Sequence, residues 1–144
     1  MLSRVSNQAL AKTAAFGAFI CVSMGFVHQL TMQRRVRSSG VYQESMQLLR
    51  EHAPANSLLG KPIRAGWMQL GDTQANIWTA AQVQLQIPLR GGLQKGVLYV
   101  RASRQVPEGA EQLNDTKYQI DRLELSLEKE RNRKLVVFKG ESKE

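Results

Sequence analysis

The chain has 144 residues and a net charge of +8, and its positive charge is unevenly distributed. Residues 1–43 hold five basic side chains and no acidic one, whereas residues 44–144 hold 15 basic and 12 acidic side chains. This length accommodates one folded domain with an additional segment. Nucleic-acid binding needs basic residues clustered on a folded face, so the distribution disfavours it and indicates an N-terminal third that flanks a membrane.

The first twelve residues, 1–12, carry two bases, no acid and several hydroxyl or amide side chains. Mitochondrial transit peptides have this composition, and so does a short polar cap on a membrane helix. The residues leave both interpretations open.

Residues 13–33 carry no formal charge and lie between Lys12 and the pair Arg34-Arg35. Twenty-one helical residues extend about 31 Å, which matches the hydrocarbon core of a bilayer. A secretory signal peptide usually has a shorter apolar region, and it ends at a small-residue cleavage site that is not evident after this run. We therefore predict an uncleaved transmembrane helix over 13–33. Basic residues are balanced on the two sides of this segment, and charge alone leaves its orientation open.

Small side chains recur every four residues along the predicted membrane helix, at Thr13, Gly17, Cys21 and Gly25. They share one helix face, and such a face lets a second membrane helix approach closely. We predict a helix-partner face here. The alternative is that glycine and alanine are simply frequent in membrane spans.

The rest of the chain predicts a small α+β domain over residues 38–139, followed by a tail at 140–144. Apolar residues at helical spacing predict one helix over 41–53 that covers a sheet and ends at Pro54. A tight corner follows at 58–63, where Gly60 permits a positive φ and Pro62 restricts the preceding residue to extended geometry.

Alternating apolar residues predict an antiparallel sheet of about four to five strands, because no spacing suited to βαβ units separates them. The predicted strands cover residues 63–70, 77–89, 97–103, 118–127 and 135–138. In the fourth of these, the apolar phase slips between Ile120 and Leu123, which predicts a β-bulge.

Three glutamines, Gln82, Gln84 and Gln86, alternate with the apolar residues of the second predicted strand. Glutamine hydrogen-bonds a partner without the desolvation cost of a charge, so these residues are a possible docking face. Ordinary solvent exposure on an antiparallel sheet is the alternative. The glycine-rich basic segment 90–96 lacks the strand-loop-helix context of a phosphate loop, so we predict a solvated hairpin turn there.

Catalytic and metal-binding patterns are missing from the sequence. His28 lies in the predicted span, His52 lies near a helix end, and the lone cysteine lies in an apolar run. No Cys-x-x-Cys pair, phosphate loop or nucleophile elbow is present. We therefore predict no enzymatic activity, no metal, no cofactor and no small-molecule substrate.

Glycine, proline and aromatic positions form a spaced pattern within segments 59–63, 85–91 and 96–104. These positions are Gly60, Pro62, Pro88, Gly91, Gly96 and Tyr99. The pattern, together with the order of span, helix and sheet, resembles the mitochondrial cytochrome c oxidase assembly factor 1 family. The family's domain is similar to that of a regulatory subunit of the inner-membrane presequence translocase.

The resemblance implies a single-pass protein of the mitochondrial inner membrane, with its C-terminal domain in the intermembrane space and no enzymatic activity. It implies an early assembly factor that binds newly made respiratory-chain subunits and other assembly factors, in cytochrome oxidase biogenesis and also in complex I assembly. Two alternatives stay open: a structural accessory subunit of a respiratory complex, and a tether between the translocase and respiratory complexes.

Overall fold

The computed structural model describes residues 6–104 and 118–140. The predicted segment 1–12 and tail 140–144 therefore lie partly outside the described residues. Helix α1 (Asn7–Ser38) begins at Ser6, whose side chain accepts a hydrogen bond from the backbone of Gln8. Its 32 residues extend about 48 Å, so the helix continues past both ends of the predicted span 13–33. Within the described residues, α1 is the one helix long and apolar enough to cross a membrane.

Two short helices follow α1 instead of the single predicted helix. Ser39 has an extended ψ of 145° and separates α1 from α2 (Gly40–Glu51). His52 then separates α2 from α3 (Ala53–Leu59), and its Nδ1 accepts a hydrogen bond from the backbone of Ala55. The prediction that Pro54 ends a helix is wrong, because Pro54 lies in the first turn of α3. Backbone N–H groups of a first turn have no partner within the helix, so a proline there loses no hydrogen bond.

The α+β prediction is confirmed, and residues 6–104 and 118–140 form one antiparallel sheet of six strands, where about four to five were predicted. These are β1 (Arg64–Ala65), β2 (Ile77–Trp78), β3 (Gln82–Arg90), β4 (Lys95–Arg104), β5 (Tyr118–Leu127) and β6 (Lys134–Lys139). The main order is β1-β3-β4-β5-β6, and β2 also pairs with β3.

Two of the predicted strands are much shorter than expected. Only Arg64–Ala65 of the predicted strand 63–70 pairs with β3. The predicted strand 77–89 is broken, because Thr79 and Gln82 close a tight turn through their backbones and the Thr79 hydroxyl. The segment is therefore a small hairpin, in which Trp78 lies opposite Val83.

The predicted bulge in the fourth strand is confirmed. Arg122 lies opposite Arg101 and Ile120 lies opposite Ala102, so Asp121 has no partner in the ladder. The extra residue restores the alternation, and both Ile120 and Leu123 are buried. A bulge therefore keeps the apolar side chains of β5 on one face of the sheet.

The hydrophobic core lies between the helices α2 and α3 and one face of the sheet. Helix α2 packs across β5 and β6. The completely buried apolar side chains come from both layers: Leu49, Ala55, Leu59, Ile87, Leu98, Val100, Leu123 and Leu125. In residues 6–104 and 118–140, neither of these helices covers the opposite face of the sheet.

Candidate functional site

The open face of the sheet, which we call the outer face, is formed by rows of side chains that cross the strands. One row joins Gln86, Tyr99, Glu124 and Val136 through successive strand pairs. The neighbouring residues on the same face are Gln82, Gln84, Pro88, Val97, Arg101, Ser103, Arg122, Ser126 and Lys134.

All three predicted docking glutamines lie on the outer face. Gln82 is exposed, and Gln84 and Gln86 are half-buried. Strand β2 covers part of this edge, with Ile77 opposite Gln84, and Asn76 accepts a hydrogen bond from the Gln86 backbone at 2.9 Å. Their backbones are thus fixed in the sheet, and their side chains share one surface.

Charge in the middle of the outer face is paired internally. The Glu124 carboxylate lies 2.5 Å from Arg122 and 3.9 Å from Lys134. The Lys134 ammonium also lies 4.9 Å from the centre of the Tyr99 ring, within the range of a cation–π contact. These contacts join β4, β5 and β6 on the outer side. Two cations share the one carboxylate of Glu124, and Arg101 lies opposite Arg122, so the centre of this surface is polar with an excess of positive charge.

A concavity of about 660 Å³ lies at the end of the outer face next to β1. Its apolar and aromatic lining includes Trp67, Pro88, Val97 and Tyr99, and Trp67 is 46% exposed. Its charged lining is Arg90, Lys95, Arg131 and Glu128. An aromatic hollow with three cations and one anion suits an extended peptide that carries apolar and acidic side chains.

The glycines and the proline of the family motif that remain, Gly60, Pro62, Gly91 and Gly96, lie where the β3–β4 turn meets the end of α3 and the strand β5. Gly60 has a φ of 77°, and the Lys61–Pro62 peptide bond is cis. The backbone N–H groups of Gly92 and Leu93 donate to the carbonyls of Gly60 and Leu59, at 2.9 and 2.8 Å. The β3–β4 turn therefore caps the C-terminal end of α3.

The sequence predicted a solvated hairpin turn at 90–96, but the structure shows that this turn caps α3. A Cβ at Gly91 would lie 2.0 Å from the Leu59 carbonyl oxygen, and one at Gly96 would lie 2.8 Å from that of Ser126. Glycine is thus required by close backbone approach at both positions. The N–H groups of the turn are engaged within the fold and are not arranged around an anion.

The junction between α1 and the domain contains a contact that the sequence did not reveal. Gln33 is 5% exposed, and its side-chain amide donates to the Met68 carbonyl and accepts from the Met68 N–H at 3.4 Å. One turn later, Arg37 donates to the carbonyl of Gly66 at 3.0 Å. Helix α1 is thereby joined directly to the domain. The sequence feature that could have indicated this contact was a glutamine at the last position of an uncharged run.

The predicted helix-partner face lies on α1. The Thr13 hydroxyl donates to the carbonyl of Ala9 at 2.9 Å, and Cys21 is exposed. A Cβ at Gly17 or Gly25 would have no described atom within 4 Å outside its neighbours and the helix backbone. Within residues 6–104 and 118–140, this face is uncovered.

Residues suited to metal binding are not gathered in the described part of the chain, where no group of three His, Cys, Asp or Glu side chains occurs. His52 acts as the cap of α3, and His28 lies on α1.

The described residues thus form a small α+β domain carried on one membrane-length apolar helix, and this arrangement defines the class of the protein. The family model described as cytochrome oxidase complex assembly protein 1 matches residues 13–136. The chain belongs to this family, which supports a role in cytochrome oxidase assembly and confirms the resemblance seen in the sequence. No curated protein and no solved structure gives a significant match.

Proposed function

We propose that this protein is a non-enzymatic assembly factor of the mitochondrial inner membrane that binds newly made cytochrome oxidase subunits. Helix α1 spans the membrane once, and the α+β domain lies in the intermembrane space. The family match over residues 13–136 carries this proposal. A role in complex I assembly would use the same surfaces.

The client is bound through two contacts, one in the membrane and one outside it. The face of Thr13, Gly17, Cys21 and Gly25 packs against a membrane helix of the client, since small side chains allow close helix approach. The outer face of the sheet binds an extended, membrane-proximal segment of the same client. Its glutamines supply uncharged hydrogen-bonding groups, and the concavity beside Trp67 accepts an apolar side chain.

The junction between α1 and the domain supports this two-contact model. The bonds from Gln33 to Met68 and from Arg37 to Gly66 hold the helix and the domain together without a flexible linker. When two contacts are linked at a matching distance, the first raises the effective concentration for the second. Each contact can then be weak, which suits a factor that must release its client.

The first test is to separate detergent-solubilised mitochondrial membranes by native electrophoresis and to identify what migrates with this chain. We expect it with sub-complexes that contain new oxidase subunits and not with the mature oxidase. Equal abundance in the mature enzyme would instead make it a structural accessory subunit. Comigration with the presequence translocase would favour the tether.

The membrane contact is tested by Gly17→Leu combined with Gly25→Leu, which fills the small-residue face without adding polarity. We expect insertion to persist and the recovery of oxidase subunits to fall. The matched control is Ala15→Leu with Val22→Leu, on the other side of the helix. Unchanged client recovery with the glycine variant would contradict the helix contact.

A further inference from the structure

A second surface feature lies where α1 meets the domain. It is a groove of about 360 Å³, at the lower end of the size range of ligand pockets. Its lining comes from the last turns of α1 and from the segment around β2: Met32, Arg35, Val36, Leu70, Asn76, Trp78 and Leu85. We call it the junction groove.

The apolar wall of the junction groove is held rigidly. Trp78 is 47% exposed, and its ring lies edge-on to that of Tyr118, with centroids 6.0 Å apart and planes at 69°. The Tyr118 hydroxyl in turn donates to the carbonyl of Thr79 at 3.1 Å. Leu85 lines the groove and is otherwise a core residue, only 1% exposed. The indole is therefore fixed with almost half its surface uncovered.

Among the described residues that line the groove, one side chain carries charge. The Asn76 amide is engaged within the fold, because it donates to the Gln69 carbonyl at 2.7 Å and accepts from the Gln86 backbone at 2.9 Å. The guanidinium of Arg35 is the charged group of the lining. It belongs to a cluster with Arg34 and Arg37, and the sequence has no acid before Glu44.

The depth of the groove relative to a bilayer indicates what fills it. Met32 lies within the uncharged run 13–33, and Arg35 follows less than one turn later. This position marks the boundary between hydrocarbon and headgroups, where tryptophan and arginine side chains are favoured. An apolar wall with a single cation beside it matches an acyl chain next to an anionic phosphate.

We propose that the junction groove binds one anionic phospholipid, with its acyl chain against the apolar wall and its phosphate on Arg35. This inference rests on the proposed membrane insertion of α1. The bound lipid fills the space between helix and domain beside the contact from Gln33 to Met68.

The test uses the full chain reconstituted in phosphatidylcholine vesicles that contain phosphatidylglycerol with a photoreactive acyl chain. After irradiation, adducts are mapped by mass spectrometry. We expect adducts at Leu70 and Trp78, which lie outside the predicted span. Arg35→Gln should lower them about five-fold, the effect of one basic side chain on anionic lipid. Photoreactive phosphatidylcholine should respond little to this change.

Arg34→Gln is the matched control, because it removes the same charge from the same helix at a residue outside the groove lining. We expect it to lower the adducts clearly less than Arg35→Gln does, because Arg34 does not line the groove. Val36→Phe keeps the charge and fills the groove, so it should reduce adducts from both lipids. Equal losses for Arg34→Gln and Arg35→Gln would show surface attraction without a site and would overturn the inference.

Alkaline carbonate extraction of the same vesicles distinguishes a failure of the proposed membrane span from a failure of the lipid site alone. A chain that is stripped from the vesicles does not span them, and both the span and the lipid site are then wrong. A chain that stays while adducts occur only on α1 retains the proposed span and overturns the lipid site alone.

Discussion

The side-chain amide of Gln33 donates a hydrogen bond to the carbonyl of Met68 and accepts one from its N–H, as the backbone of a neighbouring strand would do. The two residues are 35 positions apart, and both are buried. The C-terminal part of a membrane-length helix is in this way bonded into the domain that follows it. This contact fixes how the domain is placed relative to α1.

Replacing Gln33 by leucine should destabilise the domain. Gln33→Leu leaves two buried backbone groups of Met68 without partners, and each such group costs about 1–3 kcal/mol. For a domain of about 100 residues, each kcal/mol lowers Tm by about 4–8 °C. Thermal unfolding followed by tryptophan fluorescence in detergent measures the change. Gln29→Leu, one turn earlier and exposed, is the control and should leave Tm unchanged. Equal Tm values for both variants would contradict the role of this contact.

Adding a single methyl group at Gly91 should also lower stability. The new Cβ of Gly91→Ala would meet the Leu59 carbonyl oxygen at 2.0 Å, so the β3–β4 turn must move away from α3. We expect a loss of about 1–3 kcal/mol in the free energy of unfolding, typical of overpacking. Urea denaturation measures it. Gly71→Ala, where a Cβ meets nothing within 4 Å, should change stability by less than about 0.5 kcal/mol.

The glutamines of the outer face are expected to matter for binding and not for folding. Gln84→Ala combined with Gln86→Ala removes two hydrogen-bonding side chains from β3 and should reduce recovery of oxidase subunits. Both residues are only half-buried, on the side away from the core, so Tm should fall little. The control is Gln43→Ala with Gln47→Ala on the exposed side of α2. Undiminished recovery with the β3 variant would leave these glutamines as ordinary surface residues.

The proposed orientation predicts a defined protease sensitivity. A C-terminal tag should resist protease in intact mitochondria and be lost once the outer membrane is ruptured osmotically. A matrix protein that stays protected in the same sample controls for the inner membrane. Protection of the tag after rupture would place the domain in the matrix and contradict the proposed location.

The antiparallel strands were the best predicted elements, because one face of each is buried and alternation then marks it. Residues 118–127 were predicted as a strand and form β5 with the same bounds, including the bulge at Asp121. The predicted strand 77–89 is confirmed over 82–89, but the Thr79–Gln82 turn separates residues 77–78 from it without a glycine or proline to mark the break. Helix α3 was missed because Pro54 was interpreted as a stop, although proline is equally suited to a first turn.

The candidate surfaces were predictable in part. Alternation placed Gln82, Gln84 and Gln86 on one face, but the sequence did not predict the concavity beside Trp67. That hollow needs β1, β3, β4 and the end of β5 side by side, from positions far apart in the chain. The pairing of Glu124 with Lys134 likewise depends on the register between β5 and β6.

The sequence by itself determined the periodic features: an uncharged membrane-length helix, the alternating strands, the family motifs and the positive φ of Gly60. These follow from local preferences and from hydrophobic patterns that each segment carries alone. Only the tertiary structure decided how α1 meets the domain, why Gly91 must lack a side chain, and where the grooves lie. Those features are contacts between segments far apart in the chain, as in the bonds from Gln33 to Met68, 35 positions apart. A local pattern contains no information about which distant atoms will be neighbours.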